Sequence, residues 1–164
     1  MEQREREKIL AILEKDARLE VNDIAVMTGL KTEDVAAEIK KMEAEHIICG
    51  YHAFVNWDKT DDEKISALIE LKVTPQRGNG FDKIAEKIYQ YPEVESLYLM
   101  SGGYDFTVLL RKATMKEIAH FVSSKLAIID EVQSTTTHFL LVRYKDRGIT
   151  LVGTRKDTRQ LVTP

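Results

Sequence analysis

The residues best suited to chemistry in this chain lie between positions 31 and 41, and that chemistry is recognition of a DNA duplex. Lys31, Lys40 and Lys41 offer the positive charge that phosphate contacts require, and Thr32, Glu33, Ala36 and Ala37 complete the candidate DNA-facing set. All seven fall in EVNDIAVMTGLKTEDVAAEIKKMEAEHII, residues 20–48, which reads as two short helices joined at Thr28-Gly29-Leu30. The first helix has an apolar face at Val21, Ile24 and Ala25, the second at Val35, Ile39 and Met42. A helix, a tight glycine turn and a second helix describe a helix-turn-helix, whose second helix enters the major groove. The charges agree only in part: Glu33, Asp34, Glu38, Glu43 and Glu45 accompany the three lysines, and acids in the groove repel phosphate.

Other chemistries find little support. His46, His52, His120 and His138 are spread over different elements, and Glu117 with His120 on one helix face is too small a ligand set for a metal. Gly78-Asn79-Gly80 lacks the Lys-Ser/Thr that follows in a phosphate loop. No Ser-His-Asp or Cys-His arrangement stands out, and a single cysteine, Cys49, excludes an intramolecular disulfide. No catalytic residue, metal or cofactor is expected. The charged start MEQREREKIL is unlike a signal peptide, and no apolar run approaches the roughly 20 residues of a membrane span. These features predict a cytoplasmic protein with no membrane partner. The formal net charge of −3 hides a gradient, with 9 Lys/Arg against 13 Asp/Glu in residues 1–60 and 5 against 2 in residues 145–164.

The elements that position the motif follow from periodicity. A helix from Glu2 to Asp16 buries Ile9, Leu10, Ile12, Leu13 and Ala17, and Arg4, Arg6, Lys8 and Lys31 are available for DNA backbone contacts. Residues 1–47 form the helix-turn-helix domain, without a wing. Residues 48–63 form a linker that opens on an extended strand, ICGYHAFVNW, and ends in the charged loop DKTDDEK. Residues 64–144 then alternate strand Ile65–Val73, helix Phe81–Tyr91, strand Val94–Met100, a Ser101-Gly102-Gly103 turn free to take positive φ, strand Tyr104–Arg111, helix Met115–Leu126 and strand Val132–Tyr144. The order β-α-β-β-α-β is ferredoxin-like, with both helices on one face of a four-stranded antiparallel sheet. The expected fold class is α+β, a helix-turn-helix joined by a strand linker to a ferredoxin-like dimerisation domain. Leu68-Ile69, Val108-Leu109-Leu110 and Phe139-Leu140-Leu141-Val142 are apolar on consecutive residues, so both sheet faces call for burial, which predicts a homodimer of stacked sheets. Residues 145–164 are a basic tail in which Ile149–Val152 can add a strand or cover an edge.

This arrangement resembles the Lrp/AsnC family of transcription regulators over nearly the whole chain, to about residue 144. The resemblance is carried by Ile9-Leu10 through Asp16-Ala17-Arg18, Ile24-Ala25, Gly29-Leu30, Ile39-Lys40-Lys41-Met42-Glu43, Ile47-Ile48 with Gly50-Tyr51 and Val55-Asn56, and Ser101-Gly102-Gly103-Tyr104-Asp105. It implies that the ferredoxin-like domain is a RAM-type effector and dimerisation domain, with homodimers that assemble into tetramers or octamers, double-stranded DNA as partner, and a small-molecule effector, an amino acid or related compound. Carried over by residue, Met100, Ser101, Gly102, Gly103, Tyr104 and Asp105 line the effector site, with Thr135, Thr136 and Thr137 as candidates from a facing surface. Open glycine N–H groups can hold a carboxylate, Asp105 can accept from an ammonium, and threonine hydroxyls serve either end.

The chain departs from the family pattern at the recognition helix. Thr32, preceded by Lys31, is the better cap candidate. Glu38 stands where the family has a basic residue, and His46 where it has a glycine. Two readings follow. In the favoured one the acids face solvent and an oligomer engages several half-sites, so that weak individual contacts suffice. In the other, DNA binding is lost and the chain is a ligand sensor or, as in sirohaem decarboxylases that resemble the same family, a tetrapyrrole enzyme. Only His138 and Arg143 on the last strand suit a tetrapyrrole pocket.

Overall fold

A computed structural model describes residues 2–60, 64–75 and 80–152. The chain divides into two compact units, Met1–Val55 and Asn56–Pro164. The middle of the charged loop 58–64, most of the loop 75–80 with Gly78-Asn79, and the tail beyond Val152 lie outside the described residues.

The first unit holds α1 (Gln3–Lys15), α2 (Val21–Thr28) and α3 (Thr32–Ala44). Ile9, Ile24, Val35 and Met42 are fully buried in its core, with Leu10, Ile12, Leu19, Leu30 and Ile39 packed against it. Ala17 is exposed, contrary to expectation, because α1 ends at Lys15 and the chain turns away from the stripe. Gly29 follows α2 with φ +74, and its N–H and that of Leu30 both donate to the carbonyl of Ala25, at 2.9 and 3.1 Å. This left-handed cap is what turns the chain between the two helices, and an L-residue there costs about 1–2 kcal/mol. His46 also adopts the left-handed region, at φ +55. No strand occurs among the described residues of this unit, and residues 48–56, expected as a linker strand, form none. Among the described residues their backbone finds no sheet edge. Asn56 instead begins a short 3₁₀ turn, Trp57–Lys59, its side chain accepting from Asp58 N at 3.2 Å.

The second unit contains β1 (Ile65–Val73), α4 (Gly80–Tyr89), β2 (Val94–Leu99), β3 (Phe106–Ala113), α5 (Met115–Phe121), β4 (Val132–Phe139) and a two-residue hairpin of β5 (Lys145–Asp146) and β6 (Ile149–Thr150). The main sheet is antiparallel in the order β2-β3-β1-β4, the ferredoxin-like arrangement. Register sorts the side chains by face. Ile69 pairs with Val108 and Thr137, Leu71 with Phe106 and Thr135, and these positions lie under the helices, against Ile84, Ile88, Ile118, Phe121 and Leu126. Ala119, expected inward, is exposed, and Phe121 takes its place. The helix of α5 widens into a π turn over Val122–Leu126, which aims Leu126 into the core.

The helix-free face presents Ser66, Leu68, Glu70 and Lys72 from β1, beside Thr107 and Leu109 of β3 and Thr136 and His138 of β4. It is more polar than the consecutive apolar residues suggested: Leu68 and Leu109 are half-buried among hydroxyls and the Glu70–His138 pair at 3.4 Å. The last strand also ends early. β4 stops at Phe139, where Tyr144 was expected, and Leu141 is 92% exposed. One further bond follows, Leu140 N to Ser66 O at 3.0 Å, and β1 begins only one residue before Ser66, at Ile65. Ile149-Thr150 does add a strand, but to its own hairpin and not to the main sheet.

Candidate DNA-binding face and effector loop

The sequence places Val35, Glu38 and Met42 on one side of α3, at the i, i+3, i+7 spacing of a helical face, and all three are buried. The opposite stripe carries Glu33, Ala37 and Lys40, all exposed, flanked by exposed Lys31, Thr32 and Lys41 and half-buried Ala36. The candidate DNA-facing residues therefore converge on the solvent side of one helix. Lys31 occupies the cap position with extended backbone and no side-chain cap bond, so Thr32 is the first helical residue and not the cap. Exposed Glu33 and Asp34 sit in the first turn, where the positive end of the helix dipole favours acids.

Glu38 is the correction with most consequence. It does not face solvent; it is only 7% exposed, and its Oε1 lies 2.7 Å from Arg6 Nε of α1. Arg6 also pairs through Nη2 with Glu45 just beyond α3. That hydrogen bond, with desolvation opposing it, holds the Glu45 carboxyl below its usual range and raises Arg6 above its own. Arg6 is thus engaged as a clamp between helices. Sequence spacing carried one signal for this: Glu38 lies on the Val35–Met42 stripe.

In the second unit, the loop after β2 is closed by Met100 N donating to Asp105 O at 2.8 Å, and tied to β1 by Asp105 N donating to Leu71 O at 2.9 Å. Ser101, Gly102 and Gly103 are exposed. Neither Gly102 nor Gly103 uses the positive φ open to it, and a Cβ on either would meet nothing within 4 Å, so the backbone here is open to a ligand. Asp105 is already engaged: its Oδ2 accepts from Val73 N at 2.8 Å and its Oδ1 lies 3.3 Å from Lys72 Nζ. The three threonines do not act as one surface. Thr135 and Thr137 pair with Leu71 and Ile69 on the helix side, while Thr136 pairs with Glu70 on the other. Thr135 and Asp105 flank Leu71 from opposite sides, about 10 Å apart at the usual strand spacing.

Comparison with known proteins agrees with this division. A family model described as Lrp/AsnC ligand binding domain matches residues 66–150, and one described as winged helix-turn-helix DNA-binding matches residues 6–48. The chain is 46% identical, over 96% of its length and 95% of the relative's, to an uncharacterized HTH-type transcriptional regulator of Bacillus subtilis, YugG. Among solved structures, an AsnC family transcriptional regulator from Agrobacterium tumefaciens is 25% identical, with a TM-score of 0.70 over 89% of this chain and 94% of that one. The transcriptional regulator NMB0573 from Neisseria meningitidis, solved as an L-Met complex, shares the fold at a TM-score of 0.70 and 21% identity, over 89% of this chain and 93% of its own. The chain belongs to the Lrp/AsnC family of transcriptional regulators, with a helix-turn-helix DNA-binding domain followed by a ligand-binding domain.

Proposed function

We propose that α3 is the recognition helix and that the stripe of Glu33, Ala37 and Lys40, with Lys31, Thr32, Ala36 and Lys41 beside it, meets operator DNA. The observation that carries this is the burial of Glu38, which removes one acid from the face and leaves the lysines on it. The chain acts as a cytoplasmic regulator and not as an enzyme. Two copies stack their helix-free sheet faces through Leu68 and Leu109, and dimers assemble into tetramers or octamers, so that several half-sites are engaged together. Sedimentation at micromolar concentration then gives a dimer or larger; a stable monomer overturns the assembly.

The effector is an amino acid held at the Met100–Asp105 loop, its carboxylate on the open N–H groups near Gly102 and Gly103, with Thr136 contributed from a facing surface. It acts by preferring one assembly over another, since a ligand with no such preference shifts nothing. Because Asp105 is tied to Val73 N, the informative variant is Asp105→Asn, which keeps an acceptor oxygen for that bond. A thermal-shift screen of the amino acids is expected to show one that stabilises the wild type and stabilises Asp105→Asn less. Equal stabilisation of both removes the Asp105 charge from the site. The absence of any stabilising amino acid removes the class.

A further inference from the structure

The chain leaves α3 in a way that ties the start of the linker to the recognition helix. His46, at φ +55, turns the backbone out of the helix. Ile47 N and Ile48 N both donate to Met42 O, at 2.9 and 3.1 Å, and Ile48 packs against the core of the first unit. The Tyr51 hydroxyl then donates to Glu43 Oε1 at 2.8 Å, across eight residues of chain. This bond brings the linker back over the last turn of α3. Burial, followed by the Glu43 carboxylate, pushes the Tyr51 hydroxyl above its ordinary range, which keeps the donated proton on the tyrosine.

Glu43 belongs to the DNA-facing side of the helix. It is exposed, and it follows Lys40 by three residues and Ala36 by seven, the spacing of one helical face. Tyr51 therefore sits at the C-terminal end of the candidate DNA face, and its hydroxyl engages an acid that otherwise repels phosphate.

Pinning the linker shortens its reach. From Tyr51, four residues (52–55) remain before the second unit begins at Asn56. From the last backbone attachment, Ile48, seven residues (49–55) remain. The three extra residues lengthen the tether by up to ~10 Å at about 3.5 Å per residue. Where two α3 helices meet one duplex both arms lengthen, by up to ~20 Å together, or roughly six base pairs at about 3.4 Å each.

We propose that Tyr51 is a positioning residue for DNA recognition, whose bond to Glu43 shortens the tether between α3 and the ligand-binding domain and so sets the half-site spacing that two copies accept together. This rests on the reading of α3 as the recognition helix of a paired assembly.

The test is selection of bound duplexes from a random-sequence pool by the full chain, read by sequencing, which reports half-site sequence and half-site spacing separately. The wild type is expected to enrich one dominant spacing. Tyr51→Phe, which loses only the hydroxyl, keeps the same half-site sequence and accepts spacings spread over about three to six further base pairs. Glu43→Ala does the same, and Glu43→Gln, which keeps an acceptor oxygen, stays near the wild type. Tyr51→Phe combined with Glu43→Ala is no broader than either alone. The wild-type spacing in Tyr51→Phe overturns the proposal. So does a loss of the half-site sequence in that variant, because a tyrosine that merely stabilises the domain acts on every site alike. Hydrogen exchange of the full chain without DNA reads the bond by itself: the amides of Ile47 and Ile48 should exchange about fivefold faster in Tyr51→Phe, and equal rates overturn the pinning. If the wild type enriches no paired half-sites, the paired reading of α3 fails and the spacing role with it, while the exchange rates still report whether Tyr51 holds the linker.

Discussion

Reversing the charge at Lys40, by Lys40→Glu, is expected to lower DNA affinity roughly 10- to 100-fold at low salt and to reduce the slope of log affinity against log salt by about 1 per helix engaged. Lys40 carries this expectation for three reasons. It lies on the exposed stripe opposite Val35 and Met42. It has no ion-pair partner among the described residues, so its charge is available to a phosphate, whereas Lys41 leans toward Glu45 at 3.9 Å. Finally, reversal adds repulsion to the lost attraction, and an assembly that engages two or more helices multiplies the effect. Glu33→Gln on the same stripe should act in the opposite sense and strengthen binding, most clearly to non-specific DNA. Fluorescence anisotropy on the protein's own upstream region, repeated across a salt series, measures both. Unchanged affinity and slope for Lys40→Glu would mean that α3 does not meet the duplex with this face.

The acids of α3 show where sequence reasoning reaches and where it stops. Periodicity alone located the helix and its buried face, because Val35, Ile39 and Met42 repeat at helical spacing and their burial is independent of what covers them. It also placed β1 at Ile65–Val73, because its residue types favour an extended chain between two polar loops. Glu38 was misread because an acid on a helix is solvent-facing unless a cation is brought to it. The cation here is Arg6, 32 residues earlier, delivered by the packing of α1. Similar long-range supply decides Asp105, whose carboxylate goes to Val73 N at the end of β1. The strand expected through Leu140–Tyr144 failed for the converse reason. Its residue types favour a strand, but pairing needs an edge, and β1 begins at Ile65. Likewise the consecutive threonines 135–137 look like one hydroxyl surface in sequence and become two faces once the pleat is imposed.

Arg6→Met is expected to destabilise the N-terminal unit strongly, while Arg6→Met combined with Glu38→Met recovers much of the loss. Removing Arg6 alone takes the cation at 2.7 Å from a carboxylate that is only 7% exposed. A buried charge that loses its close ion-pair partner costs about 2–4 kcal/mol, more than the net worth of the intact pair. Replacing both partners with apolar groups removes that penalty, and the double variant should melt well above Arg6→Met. The same clamp has a pH signature through Glu45. Its carboxyl is held below the ordinary range chiefly by the Arg6 hydrogen bond, so its stabilising contribution is present above that range and is lost as pH falls through the depressed folded value. The gap in melting temperature between wild type and Arg6→Met should therefore narrow in acid. Helical circular dichroism followed against temperature, at neutral pH and at about pH 3, where carboxylates protonate, reads all of this. If Arg6→Met melts with the wild type at neutral pH, the clamp contributes nothing to holding α3 on α1. If the double variant melts no higher than Arg6→Met, the loss comes from the missing arginine stem and not from the acid that lost its ion pair. A clamp of this kind orients the recognition helix from behind, so Arg6→Met should also weaken DNA binding without changing its salt slope, the reverse of the Lys40→Glu signature.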